Sequence, residues 1–69
     1  MRFIARIERI TARMFEVSYN IEPSVGVFVG SVPISGEYRF VSETRALAWI
    51  KETASAFGIE REKVWIEIS

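Results

Sequence analysis

Few side chains in this sequence have the chemistry that catalysis requires. The 69 residues include no Cys and no His, and all nine acidic residues are glutamates. Thiol chemistry, disulfides, zinc sites of the usual kind and a histidine general base are therefore excluded. A serine or threonine nucleophile would need Lys51, Lys63 or a glutamate as its base, and neither lysine stands at the Ser-x-x-Lys spacing. The closest carboxylates, Glu60 and Glu62, are expected in a solvated turn. The sequence thus predicts no enzyme, no cofactor and no metal site.

Phe28 has a setting that points to binding rather than to catalysis. It stands between Gly26 and Gly30, and all three would face the same side of a regular strand. These glycines do not form a phosphate-binding loop, because no helix start follows them. Two interpretations stay open. In the first and more ordinary one, Phe28 covers the backbone that the glycines leave without a side chain. In the second, Phe28 is the anchor of a flat contact surface.

The charge balance limits the classes of partner. Nine Lys and Arg residues balance nine Glu residues, so the formal net charge is zero. A protein that binds nucleic acid mainly by charge would be basic and a mimic of DNA would be acidic, so both extremes are disfavoured. Four of the seven arginines fall within the first thirteen residues, where only Glu8 opposes them. A local basic patch is therefore left open.

The clearest element is an amphipathic helix over residues 43–57. Ser42 suits its N-cap, because the hydroxyl accepts a hydrogen bond from a first-turn amide. Gly58 suits the left-handed position that ends a helix, and Ile59 is placed to fold back on Ala54. Trp49 flanks the apolar stripe and is expected at the edge of the core. The stripe recurs at spacings of three and four and comprises Leu47, Ile50, Ala54 and Phe57.

Four segments alternate between apolar and polar residues, which predicts strands. They cover residues 15–21, 25–33, 37–40 and 64–68. Turn signals separate the first three, with Pro23 in the first turn and Gly36 in the second.

The first thirteen residues fit two periods. As a helix, they would place Phe3, Ile7, Ile10 and Met14 on one face and the arginines on the opposite one. The helical period fits better, but three isoleucines, the lack of an N-cap and the short distance to the next strand favour a strand and hairpin. We therefore predict a strand, in which Arg2 and Arg6 share a face and Arg9 points to the other.

These elements together predict an α+β fold. It consists of a small antiparallel sheet of four to five strands with one amphipathic helix packed on one face, in the order β-β-β-β-α-β. We expect residues 1–69 to form a single compact domain, because 69 residues are enough for one small domain and too few for two. No stretch is long and apolar enough to span a membrane, and the first nine residues lack the apolar region of a signal peptide. We expect a cytoplasmic protein.

The sheet face that the helix leaves uncovered is the candidate binding surface. The helix is expected to cover the face that carries Phe15, Val17, Val27 and Ile66. The opposite face then holds Ile4, Met14, Phe28, Val32 and Trp65 among the charged residues Arg2, Arg6, Glu8, Glu16 and Glu67. A merely solvated face would be mostly polar, so this mixture favours an interaction site. The candidate partner-binding residues are Phe28, Trp65, Ile4, Met14, Arg2 and Arg6.

One segment resembles a known family. Residues 40–49, which read FVSETRALAW, resemble the strand-to-helix junction of the arm-type DNA-binding domains at the N-termini of tyrosine integrases. Those domains have a similar architecture, a three-stranded sheet with one helix, and their sheet face enters the major groove. The resemblance implies a place near DNA for Phe28 and Arg39. The chain departs from the family because its strands lack the Lys and Arg of those domains and a further strand follows the helix.

Two functions are consistent with these observations. The first is a stand-alone interaction protein (an adaptor, an inhibitor or a small subunit) that binds a protein partner, or a second copy of itself, through the open sheet face. The second is a nucleic-acid-binding module that uses an aromatic and arginine-bearing sheet face, as in the integrase arm-type domains. The neutral charge and the missing catalytic residues favour the first.

Overall fold

The structure, a computed structural model, describes residues 1–22, 28–29 and 32–69, and of residues 28, 29 and 32 it describes the backbone alone. Its strands are β1 (Arg2–Thr11), β2 (Met14–Glu22), β3 (Phe28–Val29), β4 (Val32–Pro33), β5 (Ser35–Phe40) and β6 (Val64–Ile68). One helix, α1 (Glu43–Ala56), follows β5, and a single 3₁₀ turn (Arg61–Lys63) leads into β6. None of the helices in the described part of the chain is long and apolar enough to cross a membrane.

The predicted α+β class is confirmed. Four strands form one sheet in the order β5-β2-β1-β6, α1 packs against it, and β3 and β4 pair separately. The sheet is mixed rather than wholly antiparallel, because β6 runs parallel to β1. The path of the chain explains this direction. β5 has the same direction as β1, since each is antiparallel to β2. α1 then returns the chain across the sheet, so that β6 starts from the end of the sheet at which β1 and β5 start.

The prediction of a strand at the N-terminus is confirmed. β1 lies in the middle of the sheet, between β2 and β6, and a two-residue turn at Ala12 and Arg13 connects it to β2. The alternation of a strand therefore places Arg2 and Arg6 on one face and Arg9 on the other. The helical period of this segment misleads because β-branched residues pack better on a pleated sheet.

The core lies between α1 and the face of the sheet that carries the odd-numbered residues of β1 and β2. Strands β1 and β2 contribute alternate residues to this core, and the helix contributes one residue per turn. Its buried members are Phe3, Ala5, Ile7, Val17, Tyr19, Ile21, Ala46, Ile50, Ala54 and Ile59. No buried side-chain polar atom in the described residues lacks a hydrogen-bond partner.

Both predicted helix caps are present. The Ser42 hydroxyl accepts a hydrogen bond from the Arg45 amide at 3.2 Å. At the other end Gly58 has φ of 70°, its amide donates to the Ser55 carbonyl, and the Ile59 amide donates to the Ala54 carbonyl, each at 2.9 Å. This pattern is a Schellman motif, and it brings Ile59 into the core.

An aromatic cluster closes the core between α1 and β5. Trp49, half-buried as predicted for the edge of the core, has its ring centroid 4.8 Å from that of Tyr38 and 5.4 Å from that of Tyr19. Tyr19 stacks on Phe3 at 5.5 Å and donates its hydroxyl to the Pro33 carbonyl at 2.8 Å. Burial, with a smaller contribution from Tyr38, raises the pKa of Tyr19 from 10.0 to about 12.

Substitution of Gly58 tests the end of the helix. We expect Gly58→Val to lower the free energy of unfolding by about 1 kcal/mol or more, because a β-branched residue resists positive φ. The cost is conformational, since a Cβ at this position would have no atom within 4 Å. Gly58→Asn, which tolerates the left-handed region, is the control and should lose less. Equal melting temperatures for all three proteins would contradict this assignment.

The buried phenol of Tyr19 predicts a loss of stability at alkaline pH. Between pH of about 10 and about 12 the unfolded chain releases the Tyr19 proton while the folded chain holds it. The folded state then binds more protons, so its stability is intact below pH of about 10 and falls as the pH rises. Urea titrations across this range should show a shallower fall for Tyr19→Phe than for the wild type. Parallel curves would exclude Tyr19 as the source.

Candidate functional site

The face of the four-stranded sheet opposite α1, called here the open face, carries the candidate residues. It is formed by even-numbered residues of β1 and β2 and by odd-numbered residues of β5 and β6. The strand register places Ile4 between Asn20 of β2 and Trp65 of β6. A surface patch is thus assembled from the β1–β2 hairpin and from β6, which is distant from the hairpin in sequence.

Trp65 is the largest apolar group on the open face. The residue is 57% exposed, although β6 is held in the sheet by its pairing with β1. The guanidinium carbon of Arg2 lies 5.9 Å from the ring centroid, and Nη2 of Arg2 is 2.9 Å from Oε2 of Glu22. Arg2 is therefore held between an indole and a carboxylate, and an exposed cation–π contact of this kind contributes about 0.5–1 kcal/mol.

A shallow depression of about 460 Å³ lies beside Trp65. It arises because the small side chains of Ser18 and Asn20 stand next to a large indole. Arg6 and Glu67, which are opposite each other in the β1–β6 register, add charges of both signs. Its lining comprises Ile4, Ala5, Arg6, Ser18, Tyr19, Asn20, Trp65, Ile66 and Glu67. The depression offers an apolar wall with hydrogen-bonding groups around it.

The structure brings together four of the six residues that the sequence singles out. Ile4 and Trp65 are direct neighbours, and Arg2 and Arg6 flank them on β1. Met14 does not join them. It lies six residues along β2 from Asn20, the partner of Ile4, which is about 20 Å in an extended strand.

The side chain of Phe28 lies outside the described residues, as do the side chain of Val32 and the whole of Val27. Their expected faces therefore stay predictions.

Ser18, Asn20 and Glu22 belong to the patch but were not singled out from the sequence. Their alternation with the apolar residues of β2 is the signal that places them on an outward face. That signal does not show that β2 lies beside β1 and only one strand away from β6, which is what brings them to Trp65.

The open face of the described sheet carries more negative than positive charge. Its glutamates are Glu8, Glu16, Glu22, Glu37 and Glu67, and its arginines are Arg2, Arg6 and Arg39. Arg39 is also engaged, since its Nε lies 3.4 Å from Oε2 of Glu16. Five carboxylates against three guanidiniums make this surface unfavourable for a phosphate backbone.

The described residues hold no cluster of acidic side chains that could bind a metal ion. No group of three acidic side chains within them lies close enough to hold a metal ion. Glu60 and Glu62 are exposed and lie at the 3₁₀ turn, where the sequence predicts a solvated turn.

Comparison of the chain with protein-family models, with curated proteins and with solved structures gives no match. The resemblance of residues 40–49 to the integrase arm-type domains thus stays an inference from that segment alone.

Tryptophan fluorescence tests the exposure of Trp65. The chain has two tryptophans, and Trp49 is half-buried in the aromatic cluster. Acrylamide should quench the folded Trp49→Phe variant, which keeps Trp65, more strongly than the folded Trp65→Phe variant. The emission of the Trp49→Phe variant should also lie at longer wavelength. Equal quenching of the two variants would mean that Trp65 is covered.

Proposed function

We propose that this chain is a non-enzymatic interaction protein that binds a protein partner through its open sheet face. The observation that carries this proposal is the exposed Trp65, which stands beside Ile4 and under the guanidinium of Arg2. Tryptophan and arginine are among the side chains that most often dominate the binding energy of protein interfaces. The sequence prediction of a cytoplasmic location is part of the same proposal.

The arrangement around Trp65 supports a role as an anchor. Arg2 is fixed by Glu22 and by the indole, so a partner would meet groups whose side-chain entropy is already reduced. The depression next to Trp65 would accept an apolar or hydrogen-bonding side chain of the partner. Since glutamates outnumber arginines on this face, the partner should present more cationic than anionic groups.

Nucleic-acid binding is the alternative that the sequence leaves open. An aromatic ring next to arginines is able to stack on an unpaired base. The carboxylates Glu22 and Glu67 lie on the same patch, however, and Arg2 is already paired with one of them. The charge of the face therefore favours a protein.

A capture experiment with matched variants tests the proposal. Wild type, Trp65→Ser and Val41→Ser are immobilised, exposed to lysate of the source cell with and without nuclease, and the retained proteins are quantified. Val41 is the control because it is 65% exposed but lies beyond β5, at the opposite edge of the sheet from β6. We expect a nuclease-resistant set of proteins on wild type and Val41→Ser that is lost from Trp65→Ser.

Two results would contradict the proposal. Equal retention by Trp65→Ser and wild type would show that the open face is not the binding surface. Loss of the retained proteins after nuclease treatment would show that nucleic acid is the partner. Circular dichroism melts establish that the variants are folded, which is expected because both replaced side chains are mostly exposed.

A further inference from the structure

The outer edge of β6 pairs with no other strand of the described residues. β6 is the last strand in the order β5-β2-β1-β6, so within residues 1–22, 28–29 and 32–69 it has a neighbouring strand on one side only. The Ser69 amide donates to the Ile7 carbonyl at 3.0 Å, which shows that the odd-numbered residues direct their backbone groups toward β1. The amides and carbonyls of Ile66 and Ile68 therefore point away from the sheet.

A groove runs beside this edge, on the face of the sheet that carries α1. It has a volume of about 370 Å³ and lies between the C-terminal half of α1 and β6. Ala54, Ile59, Val64 and Ile66 make its apolar surface, and its charged residues are Lys51 and Arg61. Neither of these two cations forms an ion pair with a residue that the structure describes.

We propose that an extended, acidic segment of a partner protein adds to the sheet as a further strand along β6. Its backbone would pair with the outward-facing groups of Ile66 and Ile68, as in β-strand addition. An apolar side chain would enter the groove, and carboxylates on the same side of the segment would meet Lys51 and Arg61. This site lies across β6 from the open face and does not rest on the function proposed for that face.

The positive charges of Lys51 and Arg61 favour an acidic segment over a second copy of this chain as the occupant of the edge. Two copies paired through β6 about a twofold axis at Ile66 would extend the sheet and keep both helices on one face. The axis would then bring Lys51 and Arg61 of both copies together along a single seam. Like charges placed in this way are unfavourable, and cationic side chains at a sheet edge generally discourage edge-to-edge pairing. An acidic strand neutralises the same two residues.

Selection from a phage-displayed library of random linear peptides tests the proposal. We expect the selected peptides to alternate apolar with other residues and to carry acidic side chains. A synthetic copy of a selected peptide should shift the amide resonances of Ile66 and Ile68 more than that of Glu67. Those two amides should also exchange more slowly with solvent when the peptide is bound.

A charge-reversed variant and a matched control make the test specific. Lys51→Glu combined with Arg61→Glu should weaken binding of the selected peptide about tenfold or more, since it replaces two attractions by two repulsions. Arg13→Glu combined with Arg45→Glu changes the formal net charge from zero to the same value of −4 and should bind as the wild type does. The first variant should itself select basic peptides.

Three outcomes would overturn the proposal. The first is no enrichment of any peptide, and the second is equal binding of the selected peptides to the charge-reversed and control variants. The third is protection of the Ile66 and Ile68 amides that rises with protein concentration in the absence of peptide. This third result would identify a second copy as the occupant.

Discussion

The position of β1 between β2 and β6 is the constraint on which the rest of the structure depends. Because successive side chains of a strand point to opposite faces, this one strand supplies Phe3, Ala5 and Ile7 to the core and Ile4 and Arg6 to the open face. A slip of one residue in its pairing would exchange the two sets. Such a slip would bury a guanidinium without a partner. The packing of the apolar core therefore determines which residues lie on the open face.

Local features of this fold could be predicted from the sequence, because local chemistry determines them. Ser42 and Gly58 define the ends of the helix through their own hydrogen bonds and backbone conformation. The strand at residues 64–68 was predicted with the bounds that the structure shows. At the N-terminus, the residue types indicated a strand although the period of the apolar residues was helical. In each case the deciding information lies within a few residues of the feature.

The pairing of the strands could not be predicted in the same way. Nothing in the residues of β6 shows that it joins β1 in parallel rather than another strand in antiparallel, since that depends on where α1 returns the chain. The composition of the candidate site depends on strand pairing in the same way. Alternation placed Ile4, Met14 and Trp65 on one face, but only the register separates Met14 from the other two and adds Asn20.

β6 is the strand at which the two proposed surfaces meet, and its alternation keeps them apart. Trp65 belongs to the open face, whereas Ile66 lines the groove beside α1. The electrostatic character changes with the face, because glutamates outnumber arginines over the open face of the described sheet as a whole, while the charged residues that the structure describes along the groove are both cations. The net charge of zero is therefore the sum of regions that differ in sign, with an excess of negative charge on the open face and positive charge along the groove. Partners of opposite charge would be sorted to opposite sides of the same five-residue strand.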